Sequence, residues 1–384
     1  MNVSPLTYNS LFRQKPHYEL LDGLRGVAAL LVIWYHFFEG FATSGVDQMF
    51  NHGYLAVDFF FVLSGFVIGY AYDDRWKKGL TKGEFILRRI IRLQPMVVMA
   101  VCLGIVAYII QGCEHWDHTK ADTWAIVVSF VLGLFMIPAI PGTAPDVRGN
   151  GEMFPLVGPA WSLFFEYIGS VLYAIWLHRL SDKALRWVVI ISGAGLVATI
   201  LGNVSGCYSA GVGWTMADGG FFGGLMRLGF SFGIGLLMSR NFKPTKIKGA
   251  FWLCSGAIAL LMCMPYVTTD GEPSLLNGLY DIVCTLFLFP LIVRLGASGH
   301  TTDTHSRNLC SFLGRISYPI YIIHYPFMYL FYAWVWNNGL SFGQAWPATL
   351  IVFVCLIPLA WAAVRFYDEP VRRYFTKKLK SASR

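Results

Sequence analysis

The chain has 384 residues, of which 55% are hydrophobic and 14% charged, with a formal net charge of +8. Soluble domains carry about 25% charged residues, so there are too few here to coat a globule of this size. Its apolar residues instead gather in blocks about 20 long, enough to cross a bilayer core as helix. The composition excludes an ordinary soluble protein and indicates an all-α, polytopic membrane bundle.

Taken in chain order, the apolar blocks fall at 21–40, 54–72, 95–112, 124–141, 159–177, 187–204, 222–239, 250–268, 276–293, 316–336 and 345–366. The basic residues lie between them. One short loop holds Arg75, Lys77, Lys78, Lys82, Arg88, Arg89 and Arg92, and the C-terminal end holds Arg365, Arg372, Arg373, Lys377, Lys378, Lys380 and Arg384. Further groups are Arg179, Lys183 and Arg186; Arg240, Lys243, Lys246 and Lys248; Arg294, Arg307 and Arg315; and Arg13 with Lys15. Clusters confined to alternate loops are a topology signal, not a nucleic-acid face, and they place both termini in the cytoplasm; the expected location is the inner (plasma) membrane, as a multi-pass protein. Two cytoplasmic termini require an even number of crossings. The block at 124–141, which ends in Pro138 and Pro141, is flanked on both sides by expected outer loops. We read it as re-entrant or interfacial, leaving about ten crossings in one domain spanning 1–384, with a short N-terminal segment (1–18) and a basic tail (368–384). The chain stops soon after its last block, which suggests no appended soluble domain. No internal repeat is visible, which disfavours a secondary transporter of a small anionic solute. The cysteines and histidines show no metal-ligand spacing, and Cys113 and Cys207, in expected outer loops, are read as unpaired.

Five segments carry candidate chemistry. Arg25 and His36 are eleven residues apart, about 20° past three helical turns, so both project from one face about 16 Å apart along the axis. An ionisable group so deep marks a functional site by default, the plain alternative being a packed histidine with a snorkelling arginine. Asp22, on the same side, reads equally as a helix cap. Asp58, in Val57–Phe66, is placed to orient or balance His36; Ser64, Gly65 and Gly69 read as packing. Arg88 and Arg92 form a cationic face with Arg89 beside them, suited to lipid head groups or to the phosphates of a cytosolic donor. Glu166, in Trp161–Glu166, is a buried carboxylate fit for pairing or proton transfer. His324 sits at mid-bilayer depth, with Tyr318 and Tyr321 a turn apart on one side as candidate substrate contacts. Tyr367–Pro370 reads as a charged helix stop.

These segments together resemble the acyltransferase family 3 of integral-membrane O-acyltransferases over nearly the whole chain. The resemblance rests on Arg25-x10-His36, VDFFFVLSGF at 57–66, F-x-x-R at Phe85–Arg88, WSL-x-x-E ending at Glu166, and SY-x-x-Y-x-x-H ending at His324. It implies transfer of an acyl group, most often acetyl, from cytosolic acetyl-CoA to a hydroxyl of a cell-envelope glycan or lipid-linked sugar, with acetyl-CoA as a substrate and no tightly bound cofactor. By the same resemblance His36 is the central catalytic residue, Arg25 its motif partner, and Arg88 part of the donor side. Glu166 is followed by Tyr167 and Ile168 where many relatives carry a second carboxylate, which weakens a two-carboxylate scheme. Some relatives carry a fused extracytoplasmic domain; a chain without one would act directly on its acceptor.

Joined to the residue reading, this gives a mechanism in which Arg88, Arg89 and Arg92 hold the CoA phosphates. His36, oriented by Asp58 or Glu166, removes the acceptor's proton or accepts the acyl group itself. The scheme needs basic and imidazole groups along one shared aqueous tunnel.

Overall fold

A computed structural model of the protein describes residues 17–299 and 303–382. The expected terminal cations Arg13, Lys15 and Arg384, and nearly all of segment 1–18, lie outside the described residues. The helices are α1 (Glu19–Glu39), α2 (Ala56–Trp76), α3 (Lys82–Ile110), α4 (Thr123–Leu134), α5 (Ala160–Ile175), α6 (Asp182–Leu201), α7 (Gly220–Arg240), α8 (Ala250–Met262), α9 (Leu275–Val283), α10 (Phe289–Ser298), α11 (Thr304–Asn337), α12 (Phe342–Ala363) and α13 (Glu369–Ala382). Thr268–Thr269 and Glu272–Pro273 pair as a small antiparallel ribbon. Each expected apolar block falls on a helix. Among the described residues, seven helices are long and apolar enough to cross a membrane, while Thr123–Leu134, Ala160–Ile175 and Ala250–Met262 are shorter apolar helices. The protein is a polytopic helical membrane protein.

Where the helices start and bend follows from local chemistry. α3 begins well before the expected 95, because Thr81 and Glu84 form a reciprocal capping box at Lys82. Pro95, taken from the sequence as the start of the block, lies inside that helix. The expected stop at Tyr367–Pro370 is corrected. The chain passes from α12 through a π-helical turn, Val364–Asp368, directly into α13. A proline ring collides with the carbonyl four residues earlier, and a π-turn widens the helix where that collision would fall. The same device joins α9 to α10: the turn Cys284–Leu288 stands just before Pro290.

Glycines set the closest helix approaches. A Cβ on Gly65 of α2 would lie 2.1 Å from the Phe232 carbonyl oxygen of α7, and one on Gly235 would lie 2.2 Å from that of Val62. A Cβ on Gly26 of α1 would lie 2.5 Å from the Leu313 oxygen of α11, and one on Gly314 would lie 2.5 Å from the Asp22 Cβ. With no hydrophobic drive between helices in lipid, such backbone contact supplies much of the packing. It also seats Arg25 against the first turn of the SY-x-x-Y-x-x-H segment.

α4 is one of the shorter apolar helices, only Thr123–Leu134 against the expected block 124–141. The segment before it docks near the far end of α3, where the Trp116 amide donates to the Arg148 carbonyl (3.0 Å). Its last residue, Leu134, accepts a hydrogen bond from Gln94, midway along α3 (2.6 Å). The backbone then reverses at Met136, which has a positive φ of 56°, and the Ala139 amide donates to Met153 (2.8 Å). Both flanks of α4 therefore lie at one end of the bundle. Along the return the amides of Met136, Ile137 and Ala139 stay hydrogen-bonded, to the carbonyls of Gly133, Leu132 and Met153.

Candidate active site

Two cavities open at opposite ends of the bundle. The basic cavity, about 710 Å³, is lined by residues of α1, α3, α11 and α13, including Arg25, Arg92, Tyr318, Arg372, Arg373 and Lys377. The aromatic cavity, about 430 Å³, is lined by His36, Glu39, Tyr321, Trp161, Trp214 and Trp336 among others. The expected single tunnel is thus corrected to two chambers. Tyr318 lines one and Tyr321 the other, about 4.5 Å of rise apart along α11, while on α1 the linings stop at Arg25 and resume at Val32, about 10.5 Å apart. Tyr318 donates to the Leu93 carbonyl (2.6 Å). Tyr321 shares a hydrogen bond with Ser162 (2.8 Å) and meets the ring of Phe60 edge-on at 5.4 Å. The two tyrosines therefore do not share one side, as the sequence suggested, but brace the two faces of one partition.

His36 projects from the end of α1 into the aromatic cavity. Its Nδ1 lies 2.7 Å from Glu39 Oε2, one turn further along the helix. A carboxylate accepts, so the contact directs the His36 Nδ1–H at Glu39 and leaves Nε2 outside it. The Tyr332 hydroxyl shares its one hydrogen between the His36 carbonyl (2.5 Å) and Glu39 Oε2 (3.0 Å), which places Glu39 beside it. This base-and-orienting-carboxylate geometry is the common activating arrangement for a histidine. The rings of His36 and His324 stand 5.3 Å apart. His324 is fully buried, its Nδ1 donates to the Ile320 carbonyl (3.1 Å), and its Nε2 has no hydrogen-bond partner.

Asp58 and Glu166 do not orient His36, and that expectation is corrected. Asp58 forms a wholly buried pair with Arg227 of α7 (2.7 Å, both 0% exposed). Arg227 also donates to the carbonyls of Val212 (2.8 Å) and Tyr54 (3.0 Å) and lies over Trp161. An arginine left alone at this depth would be costly, so Asp58 is taken up in neutralising it. Glu166 accepts from Ser64 (2.9 Å) and forms a short pair with Arg89. Arg89 also donates to Ser170 (3.1 Å). Ser64, expected to be a packing residue, belongs to this polar knot.

The three arginines of α3 consequently separate. Arg89 is buried in the knot, Arg88 is half-buried with its Nε unpartnered, and of the three Arg92 alone lines the basic cavity. Successive helical positions point about 100° apart, so a run of arginines cannot all face one ligand. Arg25 reaches the basic cavity as well. It pairs with Asp22 (3.0 Å) and donates to Ser317 (2.8 Å) and the Gly314 carbonyl (3.1 Å). Of the two readings of Asp22, the shared face with Arg25 holds and the cap does not: α1 begins after Tyr18 with no side-chain cap.

Sequence reasoning missed Glu39, although its i, i+3 spacing from His36 was visible. It also missed Arg227, in a glycine-rich block where nothing marked it, and the individual residues Arg148 and Glu152 of the loop between α4 and α5, a loop expected to bear on acceptor choice. There Arg148, fully buried, lies over the Tyr329 ring at 3.4 Å and donates to Pro155 (2.6 Å). Nearby Glu152 accepts from Tyr329, through a short bond, and from Asn150 (3.0 Å). Burial in the cavity wall pushes the Glu152 carboxyl above its ordinary range. The eight cysteines are all free. Among the described residues no group of three His, Cys, Asp or Glu side chains is placed to hold a metal ion.

Fold and site thus define a helical membrane protein with an oriented imidazole in one chamber and a cationic chamber behind a partition. The family model described as "Acyltransferase domain" (acyltransferase 3) matches residues 18–365, and the chain belongs to that family. It is 37% identical over 185 residues to protein 2 in the picA locus of Rhizobium radiobacter, covering 46% of this chain and 92% of that protein. It is 24% identical over 375 residues to the O-acetyltransferase OatA of Staphylococcus aureus strain NCTC 8325, covering 92% of this chain. The chain spans 57% of the length of OatA. No solved structure matches it.

Proposed function

We propose that the protein is a membrane O-acyltransferase that moves an acetyl group from acetyl-CoA to a hydroxyl of a saccharide. The donor enters the basic cavity and the acceptor the aromatic one. In this reading the chain crosses the inner membrane ten times with both termini cytoplasmic, α4 returning to the outer face. The carrying observation is the His36–Glu39 pair facing an aromatic chamber that lies one turn of α11 from a cationic one. Four tryptophans, Trp116, Trp161, Trp214 and Trp336, line the acceptor chamber beside Asn51 and Asn150. Flat rings with scattered amides suit the alternating apolar faces and hydroxyls of a sugar ring.

For transfer, the thioester passes the partition as the Tyr321–Ser162 contact opens. His36 Nε2 takes the proton of the acceptor hydroxyl while its oxygen attacks the acyl carbon. Glu39 stabilises the resulting imidazolium through Nδ1–H. The carbon–oxygen bond forms, the carbon–sulfur bond breaks, and the imidazolium returns its proton to the CoA thiolate. The test is transfer of labelled acetyl from acetyl-CoA to envelope saccharide by the purified protein in detergent, where no gradient exists. We expect His36→Ala to lower transfer by about 10³-fold while CoA binding persists. Normal transfer by that variant would refute the scheme, and absence of transfer by the wild type would refute the function.

A further inference from the structure

The basic cavity is closed on one side by α13, the continuation that the sequence suggested would be a helix stop. Six cationic side chains line the chamber, Arg25, Arg92, Arg315, Arg372, Arg373 and Lys377, against four carboxylates. The excess of two charges equals that of a phosphate dianion. Arg372 and Arg373 are each steadied by a carboxylate one turn earlier, Asp368 (2.9 Å) and Glu369 (2.7 Å). Glu369 is also bound by Arg315 of α11 (2.6 Å), which latches α13 across the chamber. A guanidinium has five donors, so one carboxylate leaves several free for a second planar acceptor. Arg92 and Lys377 have no ion-pair partner among the described residues.

We infer that α13 is part of the donor site. Arg372, Arg373 and Lys377, with Arg92 opposite, bind the phosphate groups of the nucleotide end of the acyl-CoA. This rests on the donor reading above but assigns phosphate recognition to a helix that follows the last motif segment, the one ending at His324, and away from Arg88 and Arg89. The same phosphate chemistry is offered by anionic lipid head groups, because Tyr374 and Phe375 on α13 are exposed apolar rings of the kind that seat an interfacial helix.

The experiment measures binding of CoA and of 3′-dephospho-CoA to the full chain in discs of phosphatidylcholine alone. Wild type is compared with the triple variant Arg372→Gln, Arg373→Gln, Lys377→Gln, and with Lys378→Gln, which changes an exposed lysine outside the chamber lining. We expect the triple variant to lose about tenfold or more in CoA affinity and to lose the preference for CoA over dephospho-CoA, with Lys378→Gln unchanged. Equal loss for both ligands would mark a merely loosened helix and overturn the inference. So would unchanged CoA binding accompanied by loss of an effect of added phosphatidylglycerol, which would assign the cations to lipid. Wild type that binds CoA beside an unaffected triple variant overturns only the role of α13. Wild type that binds no CoA overturns the donor reading beneath it.

Discussion

The two chambers differ in lining, one aromatic and one cationic, and also in how the charges around them are held. In the aromatic chamber the structural charges are sunk in protein: Asp58 and Arg227 are wholly buried, and Arg148 is enclosed by aromatic rings. In the basic chamber the arginine ends of the α13 pairs are open to solvent, Arg315, Arg372 and Arg373 being exposed by 52%, 36% and 68%. A buried pair fixes geometry because separating it strands a charge in low dielectric. An open pair exchanges partners with water and ions at little cost. The acceptor side is thus built to hold one shape and the donor side to adjust around a polyanion.

The sharpest way to break that contrast is to remove one partner on each side. Asp58→Ala leaves Arg227 stranded and is expected to cost about 3–5 kcal/mol. Arg315→Gln, which opens the α11–α13 latch, should cost less than about 1 kcal/mol. Denaturation midpoints in detergent compare them, and equal losses would abolish the distinction. A second prediction concerns the dyad. Glu39→Gln keeps the hydrogen bonds but removes the negative charge behind the imidazolium, and should lower the turnover rate by about 10²-fold while the KM for acetyl-CoA holds. A change confined to KM would place Glu39 in binding instead.

The partition gives a third. Tyr321→Ala removes the Ser162 hydrogen bond and the Phe60 contact, and is expected to join the chambers. Water would then reach the thioester, and acetyl-CoA hydrolysis without acceptor should rise severalfold over wild type; unchanged hydrolysis would mean that the septum lies elsewhere. The smallest effect is a pH slope. Burial raises the Glu152 carboxyl in the folded state, so folding takes up protons there, and this contribution to stability is lost as pH rises through the folded value. Glu152→Gln removes that slope. Its midpoint relative to wild type should therefore improve as pH rises above the ordinary carboxyl range of about 4, and a constant difference would show that Glu152 does not titrate with folding.

Much of the architecture was legible in the chain. Hydrophobic blocks announce helices because a lipid core permits little else, and the odd position of 124–141 followed from alternating basic loops. The chemistry-bearing segments were legible too, since an ionisable group inside an apolar run must have a partner. Which partner could not be read. Asp58 and Glu166 were assigned to His36 on depth alone, yet depth fixes only one coordinate. The direction in which a helix face points depends on how its neighbours pack, and Gly65 against Phe232 turns Asp58 toward Arg227.

The amino-acid order alone therefore showed the membrane class and which apolar segments carry ionisable groups, and it held the i, i+3 spacing of His36 and Glu39 without marking it, because helical periodicity and the low dielectric act over a few residues at a time. Tertiary structure decided how the remaining charges pair, that Tyr318 and Tyr321 divide one path into two chambers, and that α13 folds over the basic one. Those outcomes depend on the rotation and close approach of helices far apart in sequence, which are set by packing contacts that no single segment encodes.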